Sequence, residues 1–244
     1  MTRLLMPLPC EEFDPTEAAI PWQRLRGANI DVVFATPDGR PARCDPMSLT
    51  GVVFGQIGAK PDAKEAYRAL EEDPAFLSPI RYQDIKASEY DAVHLSGGHA
   101  PGMKPYLESK ILQAQIVEFF SLGLTVSAVC HGQVLLARSI DPLTQKSVLH
   151  GRRATALTKL LERTGFWLTV WTLGRRFRTY PEYVQDEVSR AIGDASKFET
   201  GPTPPSYDKG FTVTDGNLIT ARWPGDADEL GRRLVEALTE AQPS

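Results

Sequence analysis

The sequence predicts an α/β fold, a three-layer sandwich in which a mostly parallel sheet carries helices on both faces, and three observations predict it. Short apolar or β-branched runs alternate with segments of helical spacing, the order that parallel strands with crossover helices require. The stretch LTVSAVCHGQVLLARS (124–139) passes from a buried strand into a helix through Cys130-His131-Gly132, which is the layout of a nucleophile elbow. A third run, YDAVHLSGG (90–98), ends in paired glycines, so two tight turns fall at the carboxyl ends of strands, where open α/β sheets place their sites.

Each element follows from local signals. Residues 2–7 read as a first strand. In DPTEAAIPWQRLRGAN, Asp14, Pro15 and Glu17 fit the N-cap, first-turn and third helical positions, so a helix begins at about Asp14. IDVVFATPDG (30–39) gives a strand and a Pro-Asp-Gly turn, and DAKEAYRALEED (62–73) has helical spacing. ESKILQAQIVEFFSLG (108–123) is a helix closed by Gly123. After the elbow, VLHGRRATAL (148–157) reads as another strand. FTVTDGNLITARWPGDADELGRRLVEALTEA (211–241) reads as a hairpin around Asp215-Gly216, a loop and a terminal helix. The segment 165–210 breaks the rhythm. It opens with the aromatic-rich GFWLTVWTLGRRFRTY, continues with a helix, PEYVQDEVSRAI, and ends in GPTPPSYD. It reads as an insertion within a single 1–244 domain, laid over the strand ends as a lid.

The 244-residue chain can bury a full core. A net charge of −4, with both signs dispersed, argues against nucleic-acid and membrane-surface partners and leaves a small-molecule or protein substrate. Three cysteines, Cys10, Cys44 and Cys130, make neither an even disulfide set nor a Cys-x-x-Cys pair, so reduced thiols and a cytosolic location are expected. No apolar leader and no run of about 18 apolar residues is present, so a soluble protein is expected. No metal or cofactor is indicated, and the absence of a Gly-rich phosphate loop, G-x-S-x-G and H-E-x-x-H leaves kinase, serine-hydrolase and zincin chemistry unsupported.

Cys130 is the candidate nucleophile, because helix-start amides beside the sulfur lower a thiol pKa. Adjacent residues on a turn point in different directions, so His131 need not reach the sulfur, and His150 is the alternative base. A base in a triad needs an orienting carboxylate. Glu162 is a candidate for it, against a solvated helical pairing with Lys159. Glu17 either closes a capping box with Asp14 or approaches the thiol as a desolvated carboxyl with a raised pKa. Gly97 and Gly98 either permit a tight turn or aim amides, with that of His131, at a developing oxyanion. His99 is a further candidate contact, and His94, inside a strand, reads as packing.

SAVCHGQVLLA resembles the elbow of the ThiJ/PfpI superfamily, whose members share a class I glutamine amidotransferase-like fold. PTEAAIPWQRLRGANIDVVFATPDG, HLSGGHAPGMKPYLES and DGNLITARWPGDADELGRRLVEAL are similar to its first helix and second strand, its glycine loop, and its final hairpin and helix. The resemblance implies a flavodoxin-like sandwich and is nearest the heat-shock chaperone and glyoxalase III branch. By that likeness Cys130 is the nucleophile, His131 and Glu162 complete a triad, and Glu17 contacts the thiol; in the deglycase branch a histidine placed like His150 lies near the cysteine. It implies a glutathione-independent conversion of methylglyoxal to lactate, without a cofactor, in a homodimer. Thiol hydrolysis or hydration at a carbon–nitrogen bond, and a stress-response holdase or redox sensor, are the alternatives. His99-Ala100-Pro101, Gln133 and Arg222–Asp226 depart from the branch pattern, which leaves the substrate open.

Overall fold

A computed structural model of the chain describes residues 2–52 and 58–240. Among the described residues, seven strands form the central sheet: β1 (Arg3–Pro7), β2 (Asp31–Thr36), β3 (Ile80–Arg81), β4 (Ala92–Leu95), β5 (Thr125–Val129), β6 (Thr212–Asp215) and β7 (Leu218–Ala221). Their order is β6-β7-β5-β4-β1-β2-β3, and every neighbour pair is parallel except the β6–β7 hairpin at one edge. The chain leaves β1 toward β2 on one side and returns to β4 on the other, so the order reverses between β1 and β4. A crevice opens beyond the carboxyl ends of strands at such a reversal.

The principal helices are α1 (Pro15–Gly27), α2 (Pro61–Glu71), α3 (Lys110–Ser121), α4 (Gly132–Arg138), α5 (Lys159–Leu173), α6 (Val184–Ile192) and α7 (Ala227–Glu240). α1 packs between α2 and α7, while α4 packs against α3 and α6, so the sheet has helices around it in the sandwich the sequence predicts. The inner strands β1, β4, β5 and β7 are buried along nearly their whole length, as near-continuous apolar strands of a two-sided sheet must be.

Two expectations change. VLHGRRATAL forms no strand: Gly151 turns the chain at φ 75°, and Ala154 makes an isolated bridge with Phe198, outside the central sheet. The first part of the aromatic run that opens 165–210, residues 165–173, is instead the second half of α5, whose first turn is capped by Thr158 accepting from the Leu161 amide at 3.3 Å. The helix expected at 181–192 begins at Val184, and it buries Val184, Val188 and Ile192 at four-residue spacing.

Candidate functional site

The turn after β5 holds Cys130 at φ 55°, a left-handed conformation that non-glycine residues seldom adopt and that persists only where the surroundings fix it. Here the Cys130 amide donates to the Ala221 carbonyl of β7 at 3.3 Å, and the Cys130 carbonyl accepts from the Gln133 amide at 3.3 Å. The thiol is thereby lifted over the sheet end, yet it is only 4 % exposed.

His131 turns back onto it, with Nδ1 3.5 Å from Sγ. The other ring nitrogen, Nε2, lies 3.4 Å from Thr179 Oγ1, and that hydroxyl already donates its hydrogen to the His99 carbonyl at 2.8 Å. Thr179 can therefore only accept, so Nε2 carries the ring proton and Nδ1 faces the thiol as a free base. Burial, reinforced by the positive surroundings of Arg178 and Arg138, holds His131 down to about 3 and keeps it neutral. Thr179 escaped the sequence reading, because a threonine in RRFRTY carries no local signature.

Glu17 completes the group. Asp14 caps α1 alone, accepting from the Thr16 and Glu17 amides at 2.9 and 3.1 Å, while its own amide donates to the Gly97 carbonyl at 2.9 Å. The reciprocal half of a capping box is thus taken by Gly97, and the Glu17 side chain is free to reach the sheet end. Its Oε2 accepts from the Gly97 amide at 2.9 Å, and its Oε1 is buried without a hydrogen-bond partner. Pro21 anchors the same residue from behind. Lacking an N–H, Pro21 cannot bond the carbonyl four residues earlier, and that Glu17 carbonyl accepts instead from His94 Nε2 at 3.0 Å. His94 Nδ1 in turn takes the Ser127 hydroxyl at 2.7 Å, so a histidine that reads as packing ties α1, β4 and β5 together.

Burial raises the Glu17 carboxyl well above the usual carboxylate range, which favours its protonated form. Burial also pushes the Cys130 thiol up, helped by the carboxyls of Glu17 and Asp14, and the opposing pull of the His131 amide does not overcome them. The expectation that the helix start lowers this thiol is therefore reversed by desolvation. The resting group is a neutral thiol between a neutral imidazole and a carboxyl whose protonated form burial favours.

The two glycines serve close approach. A Cβ on Gly97 would sit 2.5 Å from Glu17 Oε2 and 2.8 Å from Cys130 Cβ, and one on Gly98 would sit 2.8 Å from the Glu12 carbonyl. With the Gly97 amide committed to Glu17, the amides left for an oxyanion are those of Gly98 and His131. His99 stacks on Phe177 at 3.7 Å between ring centroids, with Nε2 4.0 Å from Asp45 Oδ2. Burial holds its imidazole down to about 3.

Glu162 and His150 stand apart from the thiol group. The Glu162 carboxylate accepts from Arg178 Nη1 at 3.2 Å and from the Val184 amide at 3.0 Å, while Lys159 pairs with Asp186, so neither the triad contact with His131 nor the pairing with Lys159 is formed. His150 contacts Lys146 Nζ at 3.0 Å and borders a separate surface depression with Glu187 and Arg190.

Cys130 and Glu17 open into a cavity of about 400 Å³, walled mainly by apolar side chains from α1, α5 and the β7–α7 turn, among them Ile20, Leu161 and Trp223. Phe177 and Thr179 come from the chain after α5, so the segment expected as a lid also supplies the group that orients His131. Arg176 fastens that segment by ion pairs to Glu12 and to Asp45, the latter at 3.3 Å. Among the described residues no cluster of histidine, cysteine and acidic side chains is placed to hold a metal ion, and no helix is long and apolar enough to cross a membrane.

Comparison with known proteins agrees with this architecture. The family model described as ThiJ/PfpI family-like matches residues 8–202. The glutathione-independent glyoxalase hsp3102 of Schizosaccharomyces pombe is 31% identical over 235 residues, 91% of this chain and 87% of that protein. An uncharacterized protein of the same yeast is 28% identical over 166 residues, 64% of this chain and 62% of its own length, so less than two thirds of that relative is matched. The crystal structure of glyoxalase III from Candida albicans superposes with a TM-score of 0.70 over 97% of both chains at 21% identity, which shows a shared fold. With the elbow and the glycine turn both inside the matched span, the chain belongs to the ThiJ/PfpI family.

Proposed function

We propose that the protein is a cysteine-dependent enzyme that converts a 2-oxoaldehyde and water into a 2-hydroxy acid without glutathione. The observation that carries the reading is one buried thiol with His131 Nδ1 3.5 Å from Sγ and, beside it, the Glu17 carboxyl, whose buried Oε1 has no hydrogen-bond partner among the described residues. Internal redox isomerisation needs one proton acceptor and one proton donor at the reacting carbons, and no external reductant. The glyoxalase names of the relatives point the same way.

The steps balance with these groups alone. Sγ bonds to the aldehyde carbon while its proton passes to His131 Nδ1, and Glu17 gives its proton to the carbonyl oxygen, leaving a hemithioacetal. The Glu17 carboxylate then removes the aldehyde C–H proton while His131 protonates the ketone oxygen, giving an enediol. Glu17 returns the proton to the ketone carbon and His131 takes the other enediol proton. One carbon is now a thioester and its neighbour a carbinol, so the first has been oxidised at the expense of the second. Water hydrolyses the thioester, its proton passing to Glu17 and that of His131 to the departing sulfur. Amides of Gly98 and His131 stabilise the transient oxyanion.

The test is lactate formation from methylglyoxal by the purified protein without glutathione. Cys130→Ala and Glu17→Gln should each lower kcat at least about a hundredfold, the scale of a lost nucleophile or acid–base group, with circular dichroism unchanged. Turnover that survives Cys130→Ala overturns the reading. A holdase role is a second reading, favoured by Trp167 and Trp171 on the outer side of α5, which are 59 % and 88 % exposed. Suppression of client aggregation that persists in Cys130→Ala and disappears in Trp171→Ser would select it.

A further inference from the structure

The cavity above Cys130 is much larger than methylglyoxal needs. At about 400 Å³ it falls within the range that encloses drug-sized ligands, and the thiol lies at its floor. Its walls include Ile20, Leu157, Leu161, Phe166, Phe177 and Trp223. On α5, Leu161, Gly165 and Leu168 recur at i, i+4 and i+7 and all line it, so one helix face is turned to the cavity. Leu168 nevertheless remains 55 % exposed, an apolar surface that a bound apolar group would remove from water.

Gly165 stands out on that face. It sits in the middle of a fifteen-residue helix, where glycine is the least favoured residue apart from proline. No tight approach explains it, because a Cβ at this position would meet nothing within 4 Å. What the missing side chain provides is room in the cavity. The polar rim constrains the occupant further: Asp62, Asp208 and Asp228 line the cavity, Asp228 already paired with Arg24 at 2.6 Å, and Lys60 is held 3.8 Å over the Tyr207 ring. An anionic substituent meets carboxylates there.

We infer that the preferred substrate is an uncharged 2-oxoaldehyde bearing a bulky apolar substituent, an aryl or branched alkyl group, and that Gly165 sets the size of the substituent accepted. The inference rests on the oxoaldehyde reading of Cys130 and concerns the part of the substrate that does not react. Binding of that remote part supplies the orientation that a small aldehyde lacks, so discrimination appears in kcat/KM.

The experiment compares phenylglyoxal with methylglyoxal in the wild type and in Gly165→Leu. The wild type should favour phenylglyoxal in kcat/KM by at least about tenfold, the scale at which an apolar pocket discriminates. Gly165→Leu should lower that ratio at least about tenfold, with a melting temperature equal to or above that of the wild type. A wild-type preference for methylglyoxal, or an unchanged ratio in Gly165→Leu, overturns the inference. A parallel measurement separates it from the reaction itself: alkylation of Cys130 by phenacyl bromide and by iodoacetamide, each rate divided by that of free 2-mercaptoethanol. The sulfur–carbon bond forms as halide leaves and the thiol proton goes to solvent, so no turnover is required. Normalised rates that favour phenacyl bromide in the wild type and converge in Gly165→Leu support the apolar subsite even if neither aldehyde is turned over. Equal normalised rates in the wild type overturn it even if both aldehydes are.

Discussion

Among the described residues the imidazole of His131 has no carboxylate partner; Thr179 fixes its tautomer instead, by accepting from Nε2 while donating to His99. Thr179→Val removes that acceptor and should lower kcat by roughly ten- to a hundredfold, a part of what a positioned acid–base group contributes. Thr179→Ser keeps the hydroxyl and should restore most of the rate, and the pH–rate profile of the valine variant should change shape. Glu162→Gln should lower the melting temperature more than kcat, because its carboxylate serves Arg178 and Val184. Equal kcat losses in Glu162→Gln and Thr179→Val, with no rescue by serine, would return the orienting role to Glu162. The placement of Cys130 and Glu17 at the sheet end was legible in the sequence because each position is fixed by its own few neighbours, a strand-to-helix break in one case and an N-cap three residues earlier in the other. Thr179 was not, since its position depends on how Arg176 draws a whole segment onto Glu12 and Asp45. The triad assignment of Glu162 failed for a related reason: chain order does not show that Arg178, sixteen residues later, lies closer than His131.

Among the elements, those with a cap or a glycine stop were readable from sequence, α1 and the β6–β7 hairpin above all. VLHGRRATAL was misread because strand propensity mostly reports a fit to a pleated surface, and no sheet edge is offered to it. The turn from β7 into α7 contains a feature that no propensity reveals. Arg222 and Asp226, 1 % and 0 % exposed, join through Nε–Oδ2 at 2.8 Å and Nη2–Oδ1 at 2.9 Å. Arg222 Nη1 also donates to the Pro202 carbonyl at 3.0 Å, and Asp226 Oδ1 accepts from the Phe211 amide at 2.9 Å. One pair therefore closes the turn and secures the end of the segment after α6. Asp226→Ala leaves a buried guanidinium without its counter-charge and should cost about 3–5 kcal/mol, read from the urea midpoint. A double replacement, Arg222→Met with Asp226→Leu, should cost far less. The carbonyl that holds the Cys130 amide belongs to Ala221, next to this pair, so Asp226→Ala should also lower turnover in the fraction that remains folded. A loss under about 1 kcal/mol would show the pair to be no more than a surface ion pair in effect.

The reversed sheet order gathers titratable groups at one place in the molecule, and their opposing shifts shape its stability against pH. Burial holds His94 to about 4 and His99 and His131 to about 3, below the ordinary histidine value. Groups with depressed folded values stabilise above the unfolded value, about 6.5, and lose that contribution as pH falls through the folded one. Burial raises Asp14 and Glu162 to about 6, and raises Glu17 as well. Their contribution is complete below about pH 4 and is lost as pH rises through the folded values. Between about pH 4 and 6 the two sets oppose each other, so stability should change little there and fall below pH 4, where the histidines still respond together with Asp38, Asp84 and Asp194, whose hydrogen bonds hold them below the usual aspartate value. His94 isolates one part of this balance, because it is fully buried and fixed between Ser127 and the Glu17 carbonyl that Pro21 leaves free. His94→Asn removes a group that, at 1.36 kcal/mol per pKa unit, favours folding at pH 7 over pH 4 by up to about 3 kcal/mol. The difference in unfolding free energy between those two pH values should therefore shift by about that amount relative to the wild type, toward greater relative stability in acid. Comparing differences cancels whatever the lost hydrogen bonds cost at every pH. Urea titrations of both proteins at pH 4 and pH 7 measure it directly. Parallel profiles would mean that His94 titrates normally, and that the link from Pro21 through Glu17 to the sheet does not hold the imidazole neutral.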